Sequence, residues 1–107
     1  MNNFELIAAA TKAIESNPEF VPAYMQRGMN LFVMNQLDEA YKDFDHIIEV
    51  LHAPEAEAYF MRGTIRHGRG DTDGALADCR KAIEIDPDIM TKINGKFNLK
   101  WEPKQKA

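Results

Sequence analysis

The chain has 107 residues, 45% of them hydrophobic and 28% charged, the composition of one globular domain and not of a disordered segment. Its net charge of −4 supplies no general basic face to neutralise phosphates, which argues against general nucleic-acid binding, and no nucleic-acid partner is expected. The single cysteine, Cys79, permits no intrachain disulfide, and residues 1–11 hold neither a basic leader nor a long apolar run, so the expectation is a cytoplasmic protein with no signal peptide and no membrane span.

The spacing of apolar residues predicts helices over 3–16, 21–34, 37–50, 55–69 and 72–85, and a short one over 88–94. In the second of these, Tyr24, Gly28 and Leu31 share one face. In the third, Leu37, Ala40, Phe44, Ile47 and Ile48 do the same. Tyr59 and Gly63 repeat the pattern in the fourth, and Thr72, Ala75, Cys79, Ala82 and Ile83 repeat it in the fifth. No stretch alternates with period two, so no strand is expected. Pro22 and Pro54 suit first turns of helices, where a missing N–H costs nothing. Gly70 can close one helix in a left-handed conformation, and Asp71 or Thr72 can cap the next. Asp86-Pro87 reads as a stop followed by a new start.

These helices form copies of one unit. Tyr24, Arg27, Gly28, Ala40, Asp43, Ile48 and Glu49 recur as Tyr59, Arg62, Gly63, Ala75, Asp78, Ile83 and Glu84, always 35 residues on. Ile14 and Glu15 are the trace of a partial copy upstream. Glycine within a helix costs about 1 kcal/mol relative to alanine, so Gly28 and Gly63 imply close helix packing that offsets it. Arg27 and Asp43, and again Arg62 and Asp78, stand at one repeated separation and read as ion pairs joining the two helices of each copy, not as a reactive pair.

The order Tyr24, Gly28, Leu31, Leu37, Ala40, Phe44, Ile47 resembles the tetratricopeptide repeat, a helix–turn–helix unit of about 34 residues. Tyr59, Gly63, Ala75, Ala82 and Pro87 carry the likeness into the second copy, over residues 3–87 in all. The first copy has both Arg27-Gly28 and Asp43-Phe44, whereas the second has Arg62-Gly63 but Asp78-Cys79. Arg66 stands where the family places a large apolar residue, which predicts a looser second core. His52 replaces the usual proline, and one added residue lengthens the linker. The resemblance implies an all-α fold of stacked antiparallel helix pairs in a right-handed superhelical segment. Its expected organisation is a repeat domain over 1–94, with a partial repeat at 3–18, repeats at 21–54 and 56–87 and a capping helix at 88–94, then a basic tail at 95–107.

In the family, the first helices line a concave groove that holds a peptide or a helix. Carried over, the groove positions are Pro22, Met25, Met29, Phe32 and Val33, then Glu57, Phe60, Thr64 and His67. The expected function is therefore a protein-interaction module binding a protein or peptide in an apolar groove, with no catalysis. Flexible methionines suit such a surface. The same residues read equally as core covered by this chain, with Ile89, Met90, Ile93, Phe97, Leu99 and Trp101 as candidate cover, or as a face shared in a homodimer. A basic tail fits this choice. Five lysines against Glu102 give residues 92–107 a charge of +4 and leave −8 on the rest, inviting self-docking or an acidic partner, unless the tail is simply solvated. Chaperone-binding members hold a terminal carboxylate with lysine, asparagine and arginine. The matching positions here include Met25, Met29 and Met61, which cannot donate, so that mode is not expected.

No other chemistry emerges. His46, His52 and His67 have no metal-ligand spacing among themselves or with Cys79, so no metal and no cofactor are expected. Cys79 reads as an inert packed thiol. Asp71, Asp73 and Gly74 begin like a calcium loop, but the residue that would close it is Ala82 and not a glutamate. Arg69-Gly70-Asp71 is an inter-helix turn, and Gly68 and Gly70 lack the lysine and strand of a phosphate loop. No nucleophile, base and orienter converge, so no catalytic residue is assigned.

Overall fold

The computed structural model describes residues 1–97. Six α-helices and no strand occur among the described residues: α1 (Asn3–Ser16), α2 (Val21–Val33), α3 (Leu37–Asp45), α4 (Ala56–Gly68), α5 (Thr72–Ile85) and α6 (Ile89–Phe97). Each helix packs on the one after it or through it, so α1 lies on α2, α2 on α3, α4 on both α3 and α5, and α6 on α4 and α5. That is the stacked hairpin arrangement of an all-α fold.

Local signals set the ends. Asn2 accepts the Glu5 N–H at 2.8 Å while Glu5 accepts the Asn2 N–H, a reciprocal cap on α1. Pro22 lies in the first turn of α2. Pro54, expected in a first turn, precedes α4 because the helix starts later, with Glu55 as its cap. Gly70 adopts φ 84°, closing α4, and Asp71 accepts the Gly74 N–H at 3.0 Å to open α5. The third expected helix divides. Its end widens into a π-helical turn over His46–Val50, closed by the Leu51 N–H donating to the His46 carbonyl. His52 then takes φ 52°, a left-handed conformation uncommon outside glycine, and the lengthened linker crosses to α4.

The core runs through both hairpins. Phe44, Ile47, Met61 and Ile93 are its largest fully buried side chains, and Ala40, Ala58 and Ala82 fill the tight crossings. A Cβ at Gly28 would sit 2.8 Å from the Phe44 ring, and one at Gly63 would sit 3.0 Å from the Asp78 Cβ, so both glycines are imposed by the approach of the neighbouring helix.

An arginine lattice ties the hairpins together. Arg27 makes two hydrogen bonds to Asp43, at 2.8 and 2.7 Å, and a third to Thr11 on α1. Arg62 grips Asp78 in the same two-point manner, at 2.9 and 2.8 Å, and its remaining nitrogen reaches back to Asp45 and Glu49 of the first hairpin. Arg66, expected to loosen the second core, is held instead. It donates to Asp78 at 3.1 Å and to the Tyr41 hydroxyl at 3.0 Å. Arg69 lies over the Tyr41 ring and pairs with Asp38. No buried side-chain polar atom lacks a partner among the described residues.

Burial alone would lower the Arg62 pKa, but hydrogen bonds to Asp78 and Glu49 carry it above the ordinary value. In return, the Arg62 hydrogen bond and then its charge hold the Glu49 carboxyl below its usual value of 4.5. A depressed folded pKa contributes stability that is complete above the unfolded value and is lost as pH falls through the folded one. The urea midpoint should therefore fall on acidification from neutral to about pH 3, and Glu49→Gln should shrink that drop. An equal drop in the variant would remove Glu49 from the acid response.

Candidate functional site

The second hairpin does what the first does not. In the first, the Phe44 ring lies directly over Gly28 and closes the space between α2 and α3. The residue at that register in the second is Cys79, whose sulfur lies 3.3 Å from the Cβ position of Gly63. A thiol stands in place of a ring, and Cys79 lines a groove of about 620 Å³. Its floor and one wall come from α4, through Phe60, Gly63, Thr64 and His67. The opposite wall is α5, through Thr72, Ala75, Leu76 and Cys79. Phe32 of α2 and Asn94 of α6 complete the lining.

The lining is apolar in effect as well as in name. None of the lining residues is Asp, Glu, Lys or Arg. The Thr64 hydroxyl donates to the Phe60 carbonyl at 2.9 Å and is satisfied within its own helix. Burial, and after it the neighbouring Asp78, push the Cys79 thiol above its ordinary pKa of 9.0, so it is protonated at neutral pH and poor as a nucleophile. Leu76 is 49% exposed, a large apolar side chain at the lip.

The expected groove residues separate into three groups. Phe32, Phe60, Thr64 and His67 are brought together around this groove. Met29 is 7% exposed within the hydrophobic core, and Met25 packs half-buried against that core. Val33, the last residue of α2, is exposed and does not line the groove. Pro22 is exposed at the start of α2, and Glu57 is half-buried one turn before Phe60 on α4. The wall from α5 was missing from the expected set, because Thr72, Ala75 and Cys79 read as one core-facing stripe. The Asp78-Cys79 departure from Asp43-Phe44 was the signal that could have found it. The candidate cover residues Ile89 and Ile93 are buried and Met90 is half-buried, while Leu99 and Trp101 lie outside the described residues.

A second hollow, of about 380 Å³, lies on the first hairpin between Ile7, Leu31 and the polar residues Thr11, Arg27, Glu39, Lys42 and Asp43. Arg27 donates to both Asp43 and Thr11, so those three polar side chains are already engaged with one another's helices. Among the described residues, no three His, Cys, Asp or Glu side chains are grouped to hold a metal ion, and no helix is long and apolar enough to cross a membrane.

Residues 56–89 match the family model described as tetratricopeptide repeat. The chain is 33% identical over 87 residues, 81% of its length, to Hsc70-interacting protein 1 and to Hsc70-interacting protein 2 of Drosophila melanogaster. It spans about a quarter of the length of those relatives, 23% in each case. No solved structure gives a significant match.

Proposed function

Because this chain belongs to the tetratricopeptide repeat family, whose members generally act as protein-interaction modules, we propose that it binds a peptide or helix through the apolar groove between α4 and α5. The observation that carries the reading is the groove itself, about 620 Å³ with no acidic or basic side chain in its lining. Such a site rewards burial of large apolar side chains, each contributing about 1.5–3 kcal/mol of transfer free energy. Phe32, Phe60, Thr64, His67, Leu76 and Cys79 form the proposed contact set. The repeat boundaries at 21–54 and 56–87 and the partial repeat at 3–18 are part of the same proposal. Each hairpin supports the next, and the proposed site sits on the second.

The relatives bear Hsc70 in their names, which makes a chaperone the first partner class to test. A terminal-carboxylate clamp is not the proposed mode. Met29 and Met61 are buried apolar side chains, and Met25 has no N–H or O–H to donate. The segment recognised is an apolar one, presented as an extended peptide or the face of an amphipathic helix.

Peptides selected from a random display library against the full chain should share large apolar residues. Leu76→Glu places a charge at the groove lip on an exposed helical position. It should weaken those peptides by about tenfold or more, since burying the new carboxylate against an apolar side chain is unfavourable. Undiminished affinity of the folded variant would remove the groove from the binding site.

A further inference from the structure

We propose that residues 98–107 of this chain dock in the same groove, with Leu99 and Trp101 as the inserted side chains, so that an outside partner must displace them. The inference rests on the groove reading above and adds its regulation.

Position comes first. Asn94 of α6 lines the groove, and α6 ends at Phe97, one helical turn further on. The chain therefore leaves its last helix beside the groove. Four residues lead from Phe97 to Trp101, a reach of about 13 Å when extended, and the last ten residues could span about 33 Å. The groove is within range of the segment without any rearrangement of the helices.

Chemistry agrees with position. Leu99 and Trp101 are two residues apart, so an extended segment turns both to one side and Lys100 to the other. Pro103 biases Glu102 toward extended backbone and so favours that shape. The uncharged lining suits the leucine and the indole, and the lysines remain at the rim. Charge complementarity adds attraction, since Lys100, Lys104 and Lys106 against Glu102 give residues 98–107 a charge of +2, and the total of −4 then leaves −6 on the rest of the chain. Glu57 lies one turn before Phe60 on the face of α4 that also carries Thr64 and His67, an acidic position next to the apolar lining. A tether this short gives an effective concentration on the order of millimolar, so even weak contacts keep the segment in place.

The test uses Trp101, the sole tryptophan, as its own reporter in the full chain with no peptide added. Acrylamide quenching should be slow in the wild type, unchanged on dilution, and severalfold faster in Leu76→Glu. Cys79→Phe, which puts a ring into the groove at the register where Phe44 fills the first hairpin, should expose Trp101 in the same way and guards against a variant that merely unfolds. Fast quenching in the wild type overturns the proposal, as does slow quenching unaffected by both variants. Protection lost on dilution also overturns it, in favour of a second copy of the chain as the occupant. A tail that keeps the groove closed nine-tenths of the time weakens an outside peptide about tenfold, so Trp101→Ala should tighten selected peptides by that factor. Protected Trp101 without peptide binding would fail the interaction reading alone. Peptide binding with a freely quenched Trp101 would fail the tail alone.

Discussion

Replacing Asp78 by alanine should lower the unfolding free energy by about 3 kcal/mol, read as a fall in the urea midpoint at unchanged slope. The Arg62 side chain is 6% exposed and the Asp78 side chain 4%, so each depends on the other for compensation of its charge. Without Asp78, Arg62 keeps only the carboxylates of Asp45 and Glu49, the latter 59% exposed and so partly screened, and Arg66 loses one of its three polar partners, keeping Tyr41 and the more distant Asp71. Breaking a buried pair costs about 3–5 kcal/mol, and the surviving partners put this case at the low end. Asp43→Ala is the internal control. Arg27 is 24% exposed, water can reach it, and the loss should be about half as large. Equal losses would mean that the deeper burial of Arg62 relative to Arg27 does not set the cost of breaking the pair.

Phe44→Ala should cost about 3–5 kcal/mol, because the ring is fully buried and packs against the backbone of α2 at Gly28. Gly28→Ala alone should also destabilise, by about 1–3 kcal/mol, since its methyl would lie 2.8 and 2.9 Å from ring atoms with nowhere to move. Together they should not add. With the ring gone the methyl enters vacated space, and alanine recovers about 1 kcal/mol of helix propensity. Additive losses in thermal or urea unfolding would show that the ring and the glycine are not packed as described.

Much of this architecture is legible in the residues. Seven identities at one offset fix two copies of a helical hairpin, and the recurring arginine and aspartate locate the bonds between helices. Caps at Asn2 and Asp71 and the left-handed Gly70 follow from local chemistry. The widened turn over His46–Val50 does not, because a π-helical hydrogen bond leaves no apolar period of its own. Helix periodicity says which side chains share a face but not which neighbour covers that face. Met25 and Phe32 lie on one stripe, yet Phe32 lines the groove while Met29 between them belongs to the core. The α5 wall was hidden for the same reason. Ala75 and Cys79 match a core stripe, yet both line the groove, and Cys79 stands where the first hairpin has Phe44. Arg66 was misleading by residue type. Its guanidinium is satisfied by Asp78 and Tyr41, so a charged residue sits in the second hairpin without loosening it.

The most direct test of a groove that binds apolar side chains is to fill it. Cys79→Phe restores to the second hairpin the ring that closes the first, and affinity for selected peptides and the melting temperature would be measured on the same sample. The account predicts a melting temperature no lower than that of the wild type and peptide binding weakened by about tenfold or more. A folded Cys79→Phe protein that binds its peptides as tightly as before would contradict it.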